Sequence, residues 1–378
     1  MKAIINGRIV LPDQVIKGKT LVFEDKILGI RDEAPDVAQI IDAKGGYVTP
    51  GLIDVHTHGY MGADASDGDL EGLTRMAEGI AANGVTSFFP TTMTVSYAAL
   101  EKACEVAREY QKNPSPRGAR SLGVNAEGPY LSPSKRGAHD ITLLKPPETA
   151  FLMKYADVVK ITTIAPDLPG AMTCIRELTQ NGMRVSAGHT TADYDTAKKA
   201  FDAGATQCTH TFNAMPALGH RDPGATGAFL WDDRVYCELI ADGFHVHPAF
   251  FKLLRRIKGD HLVLITDCTR AGGMGDGEYD LGGQTMKVEG IRCLLPDGTI
   301  AGSILRLNCA VKNMIDLGEA EVYEAVALAT RNPARALGVD NRKGTLETGK
   351  DADIAVFDGE FRTLRTFIGG ETVYTGEM

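Results

Sequence analysis

The sequence predicts a (β/α)8 barrel of the TIM type that carries a small β-sandwich domain formed from both termini. Three observations lead there. Between about Thr49 and Gly344, short apolar segments alternate with helical ones, and eight of the apolar segments read as strands. Polar residues able to bind metal stand at the C-terminal ends of these segments, where barrels of this class build their sites. The first and last stretches of the chain share a strand-turn-strand character that the middle lacks.

From Met1 to about Tyr47, KAIINGRIV, KTLVFEDKILGI and AQIIDAKGGYVTP predict short strands broken by turn residues. DADIAVFD and LRTFIGGETVYTG repeat that pattern near the C-terminus, so residues 1–49 and 345–378 are expected to pair as one β-domain beside a catalytic body spanning 50–344. Within the body the strand segments are LIDVHTH, TSFFPTT, SLGVNAEG, VVKITTIAP, RVSAGHT, ATQCTHTF, ELIADG and LVLITD. Helical segments such as LEGLTRMAEGIAANG and YAALEKACEVAREYQK fall between them, as right-handed crossovers between parallel strands require. A doubly wound open sheet is the alternative, but no GxGxxG follows the first strand.

With 378 residues, 43% hydrophobic and 24% charged, the chain can bury a large core. Its 40 Lys+Arg against 49 Asp+Glu leave a net charge of −9, which excludes general attraction to nucleic acid or acidic membranes. An anionic substrate must therefore be held by local groups. The seven cysteines are scattered and never form CxxC, so neither a disulfide framework nor a thiolate zinc site is expected, and a cytoplasmic setting fits. MKAIINGRIVLPDQ lacks the apolar centre of a signal peptide, and no run of 18 apolar residues occurs.

The strand-end residues are Asp54, His56 and His58, then Glu127, His189, His210, His245 and Asp267. His56 and His58 are two apart, so on a continuing strand both side chains point the same way and can share a cation. The plain alternative is two histidines beside a turn. Lys160 in VVKIT reads as a structural lysine, and the glycine-rich AGGMGDG stretch as a flap without the GK[ST] ending of a nucleotide loop.

PGLIDVHTH resembles the opening motif of the amidohydrolase superfamily. AEGPYLSPSKRGAH, SAGHT, THTFNAM, ADGFHVH and ITDCTRAGG resemble, in order, the motifs of the N-acetylglucosamine-6-phosphate deacetylase family, over almost the whole chain. The resemblance implies that Glu127, His189 and His210 hold a principal divalent metal, zinc or iron, with His56 and His58 completing a second site that shares Glu127. It makes Asp267 the general acid and base. It places Ala138, His139, Asn213, Ala214, His245 and the Ala301–Gly302–Ser303 loop around a sugar phosphate, with Arg221 supplied by the neighbouring subunit of a homodimer. The galactosamine epimer stays open as substrate, and a scaffold on the same fold is the reading from a different class. Such a scaffold would have lost metal ligands that this chain retains.

Overall fold

Eight parallel strands follow one another in chain order around the centre of the molecule, which is described here by a computed structural model covering residues 1–376. They are β1 (Leu52–Thr57), β2 (Val85–Thr92), β3 (Val124–Glu127), β4 (Val159–Ile164), β5 (Arg184–Ala187), β6 (Gln207–Cys208), β7 (Tyr236–Ile240) and β8 (Leu262–Ile265). Each neighbouring pair from β1 to β8 is parallel. These are the segments that the hydrophobic pattern selects, and they form the expected (β/α)8 barrel. Strands covered on both faces need no polar alternation, and every residue of β1 and β2 is buried.

No regular ladder joins β8 to β1. The seam is closed instead by single bonds from residues just past the strands: Asp267 N–H to the His56 carbonyl at 2.9 Å, and His58 N–H to the Cys268 carbonyl at 2.8 Å. Beneath them Asp54 accepts the Thr266 hydroxyl at 2.7 Å. Burial pushes the Asp54 carboxyl up to about 7, although the Thr266 bond favours its charged form.

The crossover helices face inward by ordinary amphipathic spacing. Leu70–Ala81 is capped by Asp69, whose carboxylate accepts the Glu71 and Gly72 N–H groups, and it buries Leu73, Met76, Ala77 and Ile80 at helical intervals. Among the described residues no helix is long and apolar enough to cross a membrane.

Both termini enter the flanking sheets. Lys2–Ile5, Thr20–Phe23, Ile27–Arg31 and Gln39–Asp42 form a four-stranded sheet. Ile354–Phe357, Thr363–Ile368 and Glu371–Thr375 join Tyr47–Pro50, Arg8–Val10 and Val15–Ile16 in a six-stranded one. Leu21 and Phe23 of the first sheet share one apolar cluster with Val48, Ile354 and Phe367 of the second, which makes the pair a sandwich. A buried ion pair between Lys343 and Asp353 ties this unit to the end of the barrel chain, and Asp353 also accepts Gly369 N–H at 2.9 Å.

Two sheets stand outside the sequence expectation, the smaller an antiparallel pair of Gly59–Tyr60 with Ala63–Asp64. Past the glycine-rich stretch at 271–277, Gly277–Leu281, Gln284–Glu289 and Arg292–Leu294 form a three-stranded antiparallel sheet. Its inward residues Leu281, Met286, Val288 and Cys293 pack with Met93 and Ala138. The alternation in QTMKVE carries the strand signal, with Met286 and Val288 inside and their neighbours outside.

Candidate metal centre and active site

The C-terminal ends of the barrel strands converge six titratable side chains. Turning them inward requires unusual backbone. His189, His210 and Asp267 have φ of 47°, 27° and 50°, the left-handed region that L residues rarely occupy. Each lies just past its strand, and the reversal aims its side chain across the barrel mouth. Gly188 makes the first of these turns possible, since a Cβ there would stand 2.5 Å from Thr209 Cβ.

Glu127 is the hub. Its Oε1 lies 3.1 Å from His189 Nε2 and 2.9 Å from His210 Nε2, while its Oε2 lies 3.0 Å from His58 Nε2 and 3.5 Å from His56 Nε2. One carboxylate thus divides its two oxygens between two imidazole pairs. Asp267 Oδ1 joins the second pair, 3.1 Å from His58 and 3.5 Å from His56.

The far ring nitrogens settle the tautomers. His189 Nδ1 faces the Lys135 carbonyl at 2.8 Å and His58 Nδ1 faces the Thr91 carbonyl at 3.1 Å; a carbonyl only accepts, so both Nδ1 atoms carry hydrogen. His56 Nδ1 likewise donates to Glu238 Oε2 at 3.1 Å. Neutral rings so arranged present the Nε2 lone pairs of His56, His58 and His189 to carboxylate oxygens and, for His56 and His58, to each other at 3.4 Å, while His210 Nδ1 has no partner among the described residues to fix its tautomer. Electron pairs converging this closely repel unless a cation lies between them, and imidazole with carboxylate is a donor set that divalent metals take. Two groups fit an ion: Glu127 with His189 and His210, and Glu127 with His56, His58 and Asp267. The alternative to a cation is protonation. Burial opposes charge on His58, but hydrogen bonds to Asp267 and Glu127 outweigh it and lift its pKa to about 10. Burial also opposes charge on Asp267, yet the His58 bond and the His56 charge hold it at about 2.

His139 is in the opposite tautomer. Its Nδ1 accepts the Thr94 backbone N–H at 3.0 Å, so the hydrogen sits on Nε2, which lies 3.3 Å from Glu127 Oε2. Burial brings its pKa down to about 4, which keeps the ring neutral. It is a fixed N–H donor beside the cluster rather than an exposed loop residue.

A cavity of about 460 Å³ opens onto the cluster, and His210, Asp267, Asn213, Ala214, His245 and Gly302 are among the residues lining it. His245 is held by Asp242, 2.6 Å from its Nδ1. In the Phe212–Met215 turn, the Asn213 N–H is already given to the His210 carbonyl at 2.9 Å, and the Ala214 N–H has no partner among the described residues. Ala301 is fully buried beneath the three-stranded sheet, and Ser303 donates to the Thr266 carbonyl at 2.6 Å. Both stand behind the cavity wall, with Ala138 packed in the same cluster as Ala301. Arg221 is exposed on the loop before the Gly224–Trp231 helix and does not line its own chain's cavity.

Sequence reasoning passed over Glu238 and Lys135. Glu238 had a readable signal, a lone acid inside the otherwise apolar strand segment YCELI. Lys135 lies inside the quoted AEGPYLSPSKRGAH motif but lines the cavity only because the loop folds back over the strand ends.

Residues 47–373 match the model of the amidohydrolase family. Over 377 residues the chain is 36% identical to an N-acetylglucosamine-6-phosphate deacetylase of Bacillus subtilis, covering 97% of this chain and 95% of that protein. It is 37% identical to an N-acetylgalactosamine-6-phosphate deacetylase of Escherichia coli, covering 89% of this chain and 90% of that one. Among solved structures, a mutant N-acetyl-D-glucosamine-6-phosphate deacetylase of Mycobacterium smegmatis in complex with N-acetyl-D-glucosamine-6-phosphate superposes with a TM-score of 0.92 at 30% identity, covering 99% of each chain. With a barrel, a carboxylate-bridged histidine cluster and likeness along its whole length, the chain belongs to the amidohydrolase family, in its N-acetylglucosamine-6-phosphate deacetylase branch.

Proposed function

We propose that the chain hydrolyses the acetamide of N-acetyl-D-glucosamine 6-phosphate to acetate and D-glucosamine 6-phosphate. The observation that carries this reading is the split of Glu127 between two imidazole pairs with Asp267 alongside. Glu127, His189 and His210 would hold one divalent ion, and His56 and His58 with Glu127 a second. Zinc or iron suits these donors, and such an ion supplies Lewis acidity to the amide carbonyl and lowers the pKa of the attacking water.

Asp267, ionised before reaction, takes a proton from that water as the carbon–oxygen bond forms. It returns the proton to the amide nitrogen as the carbon–nitrogen bond breaks, because an amine leaves only when protonated. His139 Nε2–H donates to the carbonyl oxygen as negative charge develops there. Gly302 lets the sugar approach closely, with Ala138, Ala301 and Ser303 shaping the wall behind it.

Asn213, Ala214 and His245 support the sugar phosphate from within the chain, and Arg221 reaches it from the partner subunit of a homodimer. A part-exposed apolar stripe favours the dimer: Phe250, Leu253 and Ile257 are 38%, 42% and 44% exposed along the Ala249–Lys258 helix, and Trp231 is 74% exposed. Seven free thiols fit a cytoplasmic setting.

Acetate release should be followed with the phosphorylated glucosamine and galactosamine sugars and with unphosphorylated N-acetylglucosamine. Preference for the first supports the reading. Preference for the galactose epimer moves the assignment to the second relative's substrate, and no turnover by metal-loaded protein overturns it.

A further inference from the structure

Lys135 and Arg136 project into the substrate cavity from the loop that carries His139. Both are partly buried, and among the described residues neither forms an ion pair with a carboxylate. Lys135 Nζ lies 3.2 Å from the Met215 carbonyl. Its ammonium therefore stands beside the Phe212–Met215 turn, where the Ala214 N–H has no partner among the described residues. That bond uses one of three ammonium hydrogens, leaving two for a ligand. Arg136 donates to the Pro133 carbonyl at 3.3 Å, and the Asp297 carboxylate on which its charge acts lines the same cavity. Lys135 is thus the less compensated cation. In a chain of net charge −9, such a group in a substrate cavity is matched by an anion brought with the substrate.

The same residue reaches the other end of the site. Its carbonyl accepts His189 Nδ1 at 2.8 Å, so backbone and side chain of Lys135 span from a metal ligand to the turn expected at the phosphate.

We propose that Lys135 is a specificity-determining residue: together with the Ala214 N–H it binds the 6-phosphate from within the same chain as the catalytic cluster. This rests on the sugar-phosphate reading above. It also makes phosphate recognition partly independent of the partner's Arg221, since the Lys135 contact exists in a single subunit.

The test compares wild type, Lys135→Met and Lys135→Arg on N-acetylglucosamine 6-phosphate and on N-acetylglucosamine, with inorganic phosphate as competitive inhibitor. Removing a charge-assisted bond should raise KM for the phosphorylated sugar about ten- to hundredfold and weaken phosphate inhibition in parallel. The ratio of kcat/KM between the two sugars should fall by the same factor, and Lys135→Arg should recover most of it. A loop held only for structure gives equal losses on both sugars through kcat, because His189 would be misplaced; that result, or no change at all, overturns the proposal. Wild type that does not favour the phosphorylated sugar overturns the substrate reading itself, before any variant is considered.

Discussion

Glu238 Oε2 accepts the His56 Nδ1 hydrogen at 3.1 Å and, from the other side, the His210 backbone N–H, also at 3.1 Å. A single buried oxygen therefore orients a histidine of one candidate ion site and fixes the chain at a histidine of the other. The side-chain bond reaches only the second site, so loss of the carboxylate acts unequally on the two.

Glu238→Ala should weaken an ion held by His56 and His58 about 10- to 100-fold and spare one held by His189 and His210, as removal of a supporting partner of a ligating histidine does. Glu238→Gln keeps an acceptor and should retain more of the second ion. Elemental analysis after gel filtration checks this directly. Equal loss of both ions would show that Glu238 serves the fold rather than the second site.

Asp267→Asn removes the proton acceptor while preserving size. Turnover should drop by about 10²- to 10⁴-fold, the usual contribution of a positioned acid or base. The ion held by His189 and His210 should remain, because Asp267 lies with the other pair. Acetate release and metal content measured on one preparation separate these two effects.

Metal-free protein should lose stability as pH rises from about 6.5 to about 10. His58, lifted to about 10 in the fold from an ordinary value near 6.5, contributes stability that is fully present below its unfolded pKa and is lost as pH climbs through the folded one. A bound ion replaces that proton, so loaded protein should show a flatter Tm profile over this window. Metal binding near pH 7 should release protons, readable by calorimetry in buffers of different ionisation enthalpy. A metal-free Tm that stays level from pH 7 to 9.5 would contradict the His58 assignment.

Lys343→Met strands Asp353, which is only 8% exposed, without its cation. Breaking a buried pair from one side costs about 3–5 kcal/mol, so chemical denaturation should show that loss with the cluster itself intact. The double change Lys343→Met with Asp353→Leu should recover part of it.

Leu253→Asp with Ile257→Asp places charge on the exposed stripe of the Ala249–Lys258 helix. Light scattering should report a monomer, with KM for the sugar phosphate raised by loss of the Arg221 that the proposed dimer supplies. A variant that stays dimeric would place the interface elsewhere.

By itself the sequence determined the strand-helix alternation, the eight barrel strands, the pairing of both ends as a small β-domain, and the histidines and carboxylates of the cluster. Strand periodicity and ligand chemistry are local properties, written in residue type and spacing. The three-stranded sheet at 277–294 escaped the reading because half-exposed alternation such as QTMKVE is a weak signal beside the continuous apolar runs of the barrel. Only the tertiary structure decided that Glu127 gives one oxygen to each histidine pair, that Glu238 and Lys135 support those pairs, and that Gly302 faces the cavity while Ala301 and Ser303 stand behind it. The physical reason is that these relations depend on barrel closure and on the reversed backbone at His189, His210 and Asp267, which join residues distant in the chain at angles that no local spacing encodes.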